Sequence, residues 1–249
     1  MTARYGVIGE PVAHSLSPTM FSAAFAAAGI DASYTALEVR ADEADEFVER
    51  ARRGAFAGFN VTTPLKETVV ALVDGLTDDA RAAAAVNVVR RDGSTLTGHN
   101  TDGSGLVRGL AELWGWKPEG ASVLLLGSGP AARAIAIKLK EAGAAHVACW
   151  SRNEATAAGI GPPPRRPADL IVSTLPASAV VPDAVLEFVD AHSFVFDANY
   201  SAARSPVPPG LGKARSAGLP MLLHQGALSY EWWLGTAAPL DAMRAALER

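Results

Sequence analysis

The residues best suited to chemistry fall into six groups along the chain. Gly127-Ser128-Gly129-Pro130-Ala131-Ala132 fills a G-x-G-x-x-A frame directly between an apolar strand, Ser122 to Leu126, and a helical stretch closed by Gly143. Small residues in that frame let the backbone approach a pyrophosphate at the positive end of the helix. The same turn also serves packing alone, and Pro130 removes one N–H that a phosphate would use. One strand later stands Ser151-Arg152-Asn153, where an NAD-binding unit would place Asp or Glu against the ribose hydroxyls. A guanidinium flanked by a hydroxyl and an amide suits a 2′-phosphate, so the reading is NADP, with NAD as the alternative cofactor.

The other four groups sit at the ends of expected strands in the first hundred residues: His14-Ser15-Leu16-Ser17-Pro18, Asn60-Val61-Thr62-Thr63-Pro64-Leu65-Lys66, Asn87, and Asn100-Thr101-Asp102-Gly103. Ligands of open α/β sheets bind at the C-terminal ends of strands, so such clusters can converge on one crevice. Each also has a plainer use. Ser17 can cap a helix starting at Pro18, Asn60 and Asn87 can satisfy turns, Asp102 can cap a helix, and Lys66 can be a solvated lysine.

The elements that must position these groups follow from periodicity and punctuation. Strands are expected at Tyr5 to Ile8, Tyr34 to Val39 and Phe56 to Val61, with helices at Pro18 to Ala28 and Ala41 to Arg53, stopped by Gly29 and Gly54. A possible helix at Asp78 to Ala85 precedes a hairpin, Val86 to Arg90 and Thr95 to Gly98, turning at Asp92-Gly93. After a helix from Gly103 to Trp114 comes a βαβ unit: Ser122 to Leu126, Ala131 to Ala142, His146 to Trp150. Leu170 to Ser173 and Phe194 to Asp197 are further strands, and Met221 to Trp233 and Pro239 to Leu247 form a helical tail. Between Asn153 and Asp169 the triple proline Pro162-Pro163-Pro164 excludes helix interior and strand alike, leaving room for at most one helical turn before it.

Composition narrows the class. The 249 residues are 49% hydrophobic and 19% charged, which excludes a disordered or collagen-like chain, and at ~150 residues per domain they make roughly one large or two modest domains. The single cysteine, Cys149, rules out an internal disulfide and fits a cytoplasmic setting; in its apolar strand it reads as a small core residue. A net charge of −4 without a dense basic block argues against nucleic acid or an anionic membrane as partner. No segment reads as a signal peptide or a membrane span. The five histidines show no metal-binding spacing, so no metal is expected.

The groups and their order resemble the shikimate dehydrogenase family, from Gly6 to Gly235. The matching patterns are Gly9 to Pro18, an altered G-x-P-x-x-H-S-x-S-P; Asn60 to Lys66, N-V-T-x-P-x-K; Asn100 to Gly105, N-T-D-x-x-G; and Met221 to Ala227, M-L-x-x-Q-x-A. The resemblance implies two α/β domains: an N-terminal catalytic domain, residues 1–102 completed by helices at 227–249, and a Rossmann-like cofactor domain, residues 103–226, with a shortened second half. It implies NADPH-dependent reduction of 3-dehydroshikimate to shikimate by a monomer or homodimer acting on a small-molecule substrate. Lys66 and Asp102 match the catalytic pair, the lysine as proton donor and the aspartate holding it in place. Ser15 and Ser17 match the hydroxyls that hold the ring carboxylate. Thr62, Asn87 and Gln225 match residues that bind ring substituents, with Asn60 at the same strand end and Tyr200 beyond the strand ending at Asp197.

On the cofactor side the resemblance covers Gly127 to Ala131, Ser151 to Asn153, and Gly218 and Met221 near the nicotinamide. Thr174 lies in Val172-Ser173-Thr174-Leu175-Pro176-Ala177, which departs from the family's Asn-Ala-Thr-Ser-x-Gly. Alternatives of the same fold are a paralogue acting on quinate, aminoshikimate or aminoquinate and a non-catalytic sensor of a shikimate-type ligand. The retained Lys66 and Asp102 argue against the sensor, which needs no proton donor.

Overall fold

The computed structural model describes residues 2–200 and 205–248; Met1 and Arg249, the ends of the first expected domain, lie outside the described residues. The chain divides into two compact units, 1–105 with 222–249, and 106–221.

Unit 1 is a mixed sheet of six strands in the order β2-β1-β3-β5-β6-β4, with β1 Ala3–Gly9, β2 Ala32–Glu38, β3 Gly58–Val61, β4 Gly75–Leu76, β5 Val88–Asp92 and β6 Thr95–His99. β1 pairs in parallel with both β2 and β3, and its last five residues are all buried, the expected signature of a strand covered on both faces. Helix α1, Ser17–Ala27, covers one face with Met20, Phe21, Ala24 and Phe25. Helix α2, Ala44–Arg50, covers the other with Phe47 and Val48 against Phe56, Phe59 and Val61. The helix expected over Ala41 to Arg53 enters through a 3-10 turn, Ala41–Glu43, and leaves through a wide π turn, Ala51–Ala55. Gly54 at φ 99° ends it, as its position implies. Helix α3, Asp78–Ala83, is capped by the Thr77 hydroxyl. The hairpin forms with Val88 opposite His99 and Asp92 opposite Thr95; its first strand lies two residues further along than expected, so the loop is Gly93-Ser94.

Unit 2 is a wholly parallel five-stranded sheet in the order β11-β10-β9-β7-β8. Its strands are β7 Ser122–Leu126, β8 His146–Trp150, β9 Leu170–Ser173, β10 Phe194–Asp197 and β11 Ala214–Ser216. Helix α4, Asp102–Trp114, begins in unit 1, and its later residues Leu106 and Leu110 join Ile135 and Leu139 of α5, Pro130–Glu141, on one face of this sheet. The short α7, Asp183–Leu186, lies on the other face with Val185 against Leu124, Ile171 and Val195. Three elements escaped the sequence reading because they are so short: β4 has two residues, β11 three and α7 four.

The shortening falls between β8 and β9. Helix α6, Glu154–Ile160, is seven residues long, not the single turn expected, because the Asn153 side chain caps it by accepting the Thr156 N–H at 3.2 Å. The chain then passes β8, where the Cys149 N–H donates to the Pro162 carbonyl at 3.0 Å. Prolines have no N–H with which to continue a ladder, so β8 stays the edge of the sheet. Cys149 is buried there, and desolvation pushes its thiol up to about 11, in keeping with a core residue.

The last two helices are α8, Leu219–Leu234, and α9, Leu240–Leu247. Leu222 to Gly226, assigned to the middle domain from sequence, pack in unit 1, as do Gly103 to Gly105. A Cβ on Gly105 would lie 2.7 Å from Gln225 N and Cβ, so glycine lets α4 cross α8 backbone to backbone at this point. Trp233 donates to the Val89 carbonyl at 2.9 Å and packs on Tyr5, Phe21 and Tyr34, tying the C-terminal helices to the first sheet.

Candidate active site

In unit 1 the strand ends converge as the sheet order requires. Lys66 follows β3, Asn87 precedes β5, Asp102 opens α4 just past β6, and these three strands are neighbours in the sheet. Lys66 Nζ lies 2.6 Å from Asp102 Oδ2, with the side chains 14% and 5% exposed. A buried carboxylate must have its oxygens satisfied, and Asn87 Nδ2 supplies Oδ1 at 2.8 Å. Asn87 is held in turn: its Oδ1 accepts the Thr101 N–H at 2.9 Å, and its Nδ2 also faces Thr101 Oγ1 at 2.9 Å and Gln225 Oε1 at 3.4 Å. Asn100 Oδ1 accepts the Asp102 N–H and Asn100 Nδ2 reaches the Ala85 carbonyl, so the whole Asn-Thr-Asp triplet is pinned to the end of the hairpin. The lysine has one carboxylate partner and two further N–H donors for an oxygen arriving beside it.

Asn60 plays a different part from the one its position implies. Both its amide protons are engaged, to the Asn87 carbonyl at 3.1 Å and Ser229 Oγ at 3.0 Å, and its Oδ1 accepts from the Tyr34 hydroxyl at 2.8 Å. It braces the network and keeps no donor for a ligand. Ser15 and Ser17 follow β1, and Thr62 follows its sheet neighbour β3, all outside this network of hydrogen bonds. Ser17 does not cap α1 with its side chain; instead Ser15 Oγ accepts the Ser17 N–H at 3.2 Å, a contact that leaves the Ser15 proton to donate elsewhere.

In unit 2 the second group of residues surrounds a cavity of about 260 Å³ at the point where the sheet order reverses between β7 and β9. It is lined by Gly127, Ser128, Gly129, Ser151, Arg152 and Thr174 of the expected set, together with Trp150 and Leu175 to Pro176. Gly127 has φ 109°, and a Cβ there would stand 2.5 Å from Thr174 Oγ1, so both backbone and packing demand glycine. Gly129 is the opposite case: its φ is −76° and a Cβ would meet nothing within 4 Å. Nothing in the protein requires glycine at 129, and the space its missing side chain leaves is what a diphosphate backbone approaching α5 would fill. Ser128 Oγ is 3.0 Å from Ser151 Oγ and 2.6 Å from Thr156 Oγ1, and Arg152 is exposed at the rim. This chemistry, bare backbone at a helix start with one guanidinium beside it, fits a phosphorylated dinucleotide.

The remaining expected residues are scattered. Pro130 and Ala131 begin α5 behind the lining, Asn153 spends its side-chain oxygen on the α6 cap, and Met221 is buried in the core with Leu106, Leu110 and Phe196. Gly218 donates to the Asn199 carbonyl, and a side chain there would overlap the Ala198 carbonyl, so backbone packing accounts for this glycine. Tyr200, half-buried, lies three residues beyond β10 in unit 2. Sequence reasoning missed Tyr34, Ser229 and Thr156. Ser229 had a signal, since it stands four residues after Gln225 on one helix face, whereas nothing distinguishes Tyr34 from any strand aromatic.

Comparison with known proteins agrees with this arrangement. Residues 7–89 match the Shikimate dehydrogenase substrate binding domain and residues 218–248 the Shikimate 5'-dehydrogenase C-terminal domain. The shikimate dehydrogenase (NADP(+)) of Geobacter sulfurreducens is 34% identical over 97% of this chain and 94% of that protein. Among solved structures, shikimate 5-dehydrogenase from Thermus thermophilus, in complex with NADP(H) and shikimate, superposes with a TM-score of 0.88 at 31% identity, covering 99% of each chain. Ligand-free 5-ketofructose reductase of Gluconobacter sp. strain CHM43 reaches a TM-score of 0.84 at 28% identity over 100% of this chain and 98% of that one. With the Lys66–Asp102 pair and the glycine turn both in place on a full-length match, the chain belongs to the shikimate dehydrogenase family.

Proposed function

We propose that this protein catalyses the reversible reduction of 3-dehydroshikimate to shikimate with NADPH, a step of aromatic amino-acid biosynthesis. The observation that carries the reading is the buried Lys66–Asp102 contact of 2.6 Å, fixed by Asn87. Bound NADPH supplies a hydride to the ring carbonyl carbon. Lys66 Nζ meets the negative charge that grows on the carbonyl oxygen and gives that oxygen its proton; in the reverse direction it takes the hydroxyl proton back. Asp102 holds the lysine by one carboxylate oxygen, so the remaining N–H bonds can turn to the substrate.

Ser15 and Ser17 serve as hydroxyl donors to the ring carboxylate. Thr62 and Gln225 read the other substituents, while Asn60 and Asn87 brace them. Gly127 to Gly129 and Thr174 would hold the diphosphate end of the cofactor, and Arg152 with Ser151 the 2′-phosphate. The setting in the cell is the cytoplasm, consistent with the lone buried Cys149, and among the described residues no helix is long and apolar enough to cross a membrane. The test is NADP⁺ reduction with shikimate, quinate or an aminated analogue as the sole substrate. Turnover with shikimate foremost is the expected result; shikimate binding without turnover on any of the three would refute the reading.

A further inference from the structure

We infer that Ser229, a fully buried residue that cannot touch a ligand, is a positioning residue for Gln225 and through it for substrate binding. The inference rests on the reading of Gln225 as a substrate contact. Ser229 Oγ donates to the Gln225 carbonyl at 2.9 Å and accepts from Asn60 Nδ2 at 3.0 Å. The first bond alone would be an ordinary helical serine turned back on its own helix. The second makes it a link, because Asn60 belongs to β3 and Gln225 to α8.

The link has a defined direction. Tyr34 donates to Asn60 Oδ1, which turns the amide nitrogen toward Ser229 and the Asn87 carbonyl. Ser229 has one proton, spent on Gln225, so toward Asn60 it can only accept. From the other side Thr101 Oγ1 reaches the same Gln225 carbonyl at 3.1 Å. The turn of α8 that carries Gln225 is therefore clamped between the β3 end and the Asn-Thr-Asp triplet, the two places from which Lys66 and Asp102 also project. Loss of the Ser229 hydroxyl leaves a buried Asn60 proton without acceptor, and the cheapest relief is a shift of α8 away from β3, carrying Gln225 with it.

The experiment compares Gln225→Ala, Ser229→Ala, the double variant and Tyr34→Phe by steady-state kinetics at a temperature well below the unfolding midpoint of each. Ser229→Ala is expected to raise the KM for shikimate about 3- to 10-fold, the worth of one net hydrogen bond, with kcat and the KM for NADP⁺ within about twofold of wild type. In the Gln225→Ala background the same substitution should add nothing, since its effect passes through Gln225. Tyr34→Phe removes only a hydroxyl and folds even if Ser229→Ala does not; it should raise the same KM by a smaller factor. Wild-type KM in both Tyr34→Phe and Ser229→Ala, or a fully multiplicative double variant, overturns the inference while leaving Gln225 in the site. An unchanged KM in Gln225→Ala instead refutes the substrate role of Gln225 and the inference that depends on it.

Discussion

The polar side chains around Lys66 in unit 1 satisfy one another, whereas those beside the glycine turn of unit 2 line a cavity. Around Lys66 and Asp102 the side chains of Asn87, Thr101, Gln225, Asn60, Ser229 and Tyr34 form one buried network. Around the glycine turn there is a bare backbone, a cluster of hydroxyls and one exposed arginine. The difference follows from what each place must hold. A charged pair removed from water is costly unless its polar atoms are met, so the Lys66–Asp102 pair comes with its own internal scaffold. A site for a large polyanion needs room and donors, and a backbone stripped of side chains supplies both.

Substitutions that exploit this contrast differ in size and in what they change. The largest effect is expected for Lys66→Ala, which should lower kcat by a factor on the order of 10² to 10⁴ with modest change in KM, the scale of a positioned acid or base. Retained turnover in that variant would take Lys66 out of the chemistry. Next come the two glycines of the turn, which should separate fold from function. Gly127→Ala forces an alanine into left-handed backbone against Thr174 and should cost about 2 kcal/mol of stability in denaturant titration. Gly129→Ala should leave the unfolding midpoint unchanged and still weaken NADP⁺ binding measured by titration. Equal stability losses at both positions would show the turn to be packing alone. The smallest effect is expected for Arg152→Ala: about tenfold weaker binding of NADP⁺ with NAD⁺ binding unaltered, as removal of one charge-assisted contact predicts. Equal loss with both cofactors would refute the phosphate role.

The two regions were also unequally legible. The glycine turn is local: six consecutive residues between a strand and a helix announce both the conformation and the space above it, and the structure places them there. The shortened segment after Asn153 was readable from its prolines, although its helix is longer than those prolines imply, because the Asn153 cap was enough to nucleate a second turn. In unit 1, residue types and strand ends were readable but their division of labour was not. Asn60, expected at the ligand, spends its side chain on Tyr34, Asn87 and Ser229; Ser17, also expected at the ligand, does not cap α1 with its side chain, the plainer use its position allowed. The part Asn60 plays depends on partners 26 to 169 residues away in sequence.

What the sequence determined by itself was the α/β class, the helix and strand boundaries that end at glycines, the glycine turn between β7 and α5 and, through its resemblance, the pairing of Lys66 with Asp102. What only the tertiary structure decided was which polar group meets which. Sheet order brings β3, β5 and β6 side by side, and the return of α8 to the first unit sets Gln225 and Ser229 against them. A hydrogen bond forms over about 3 Å and in one direction, so its partners are settled by packing of distant segments and leave no periodicity in the chain.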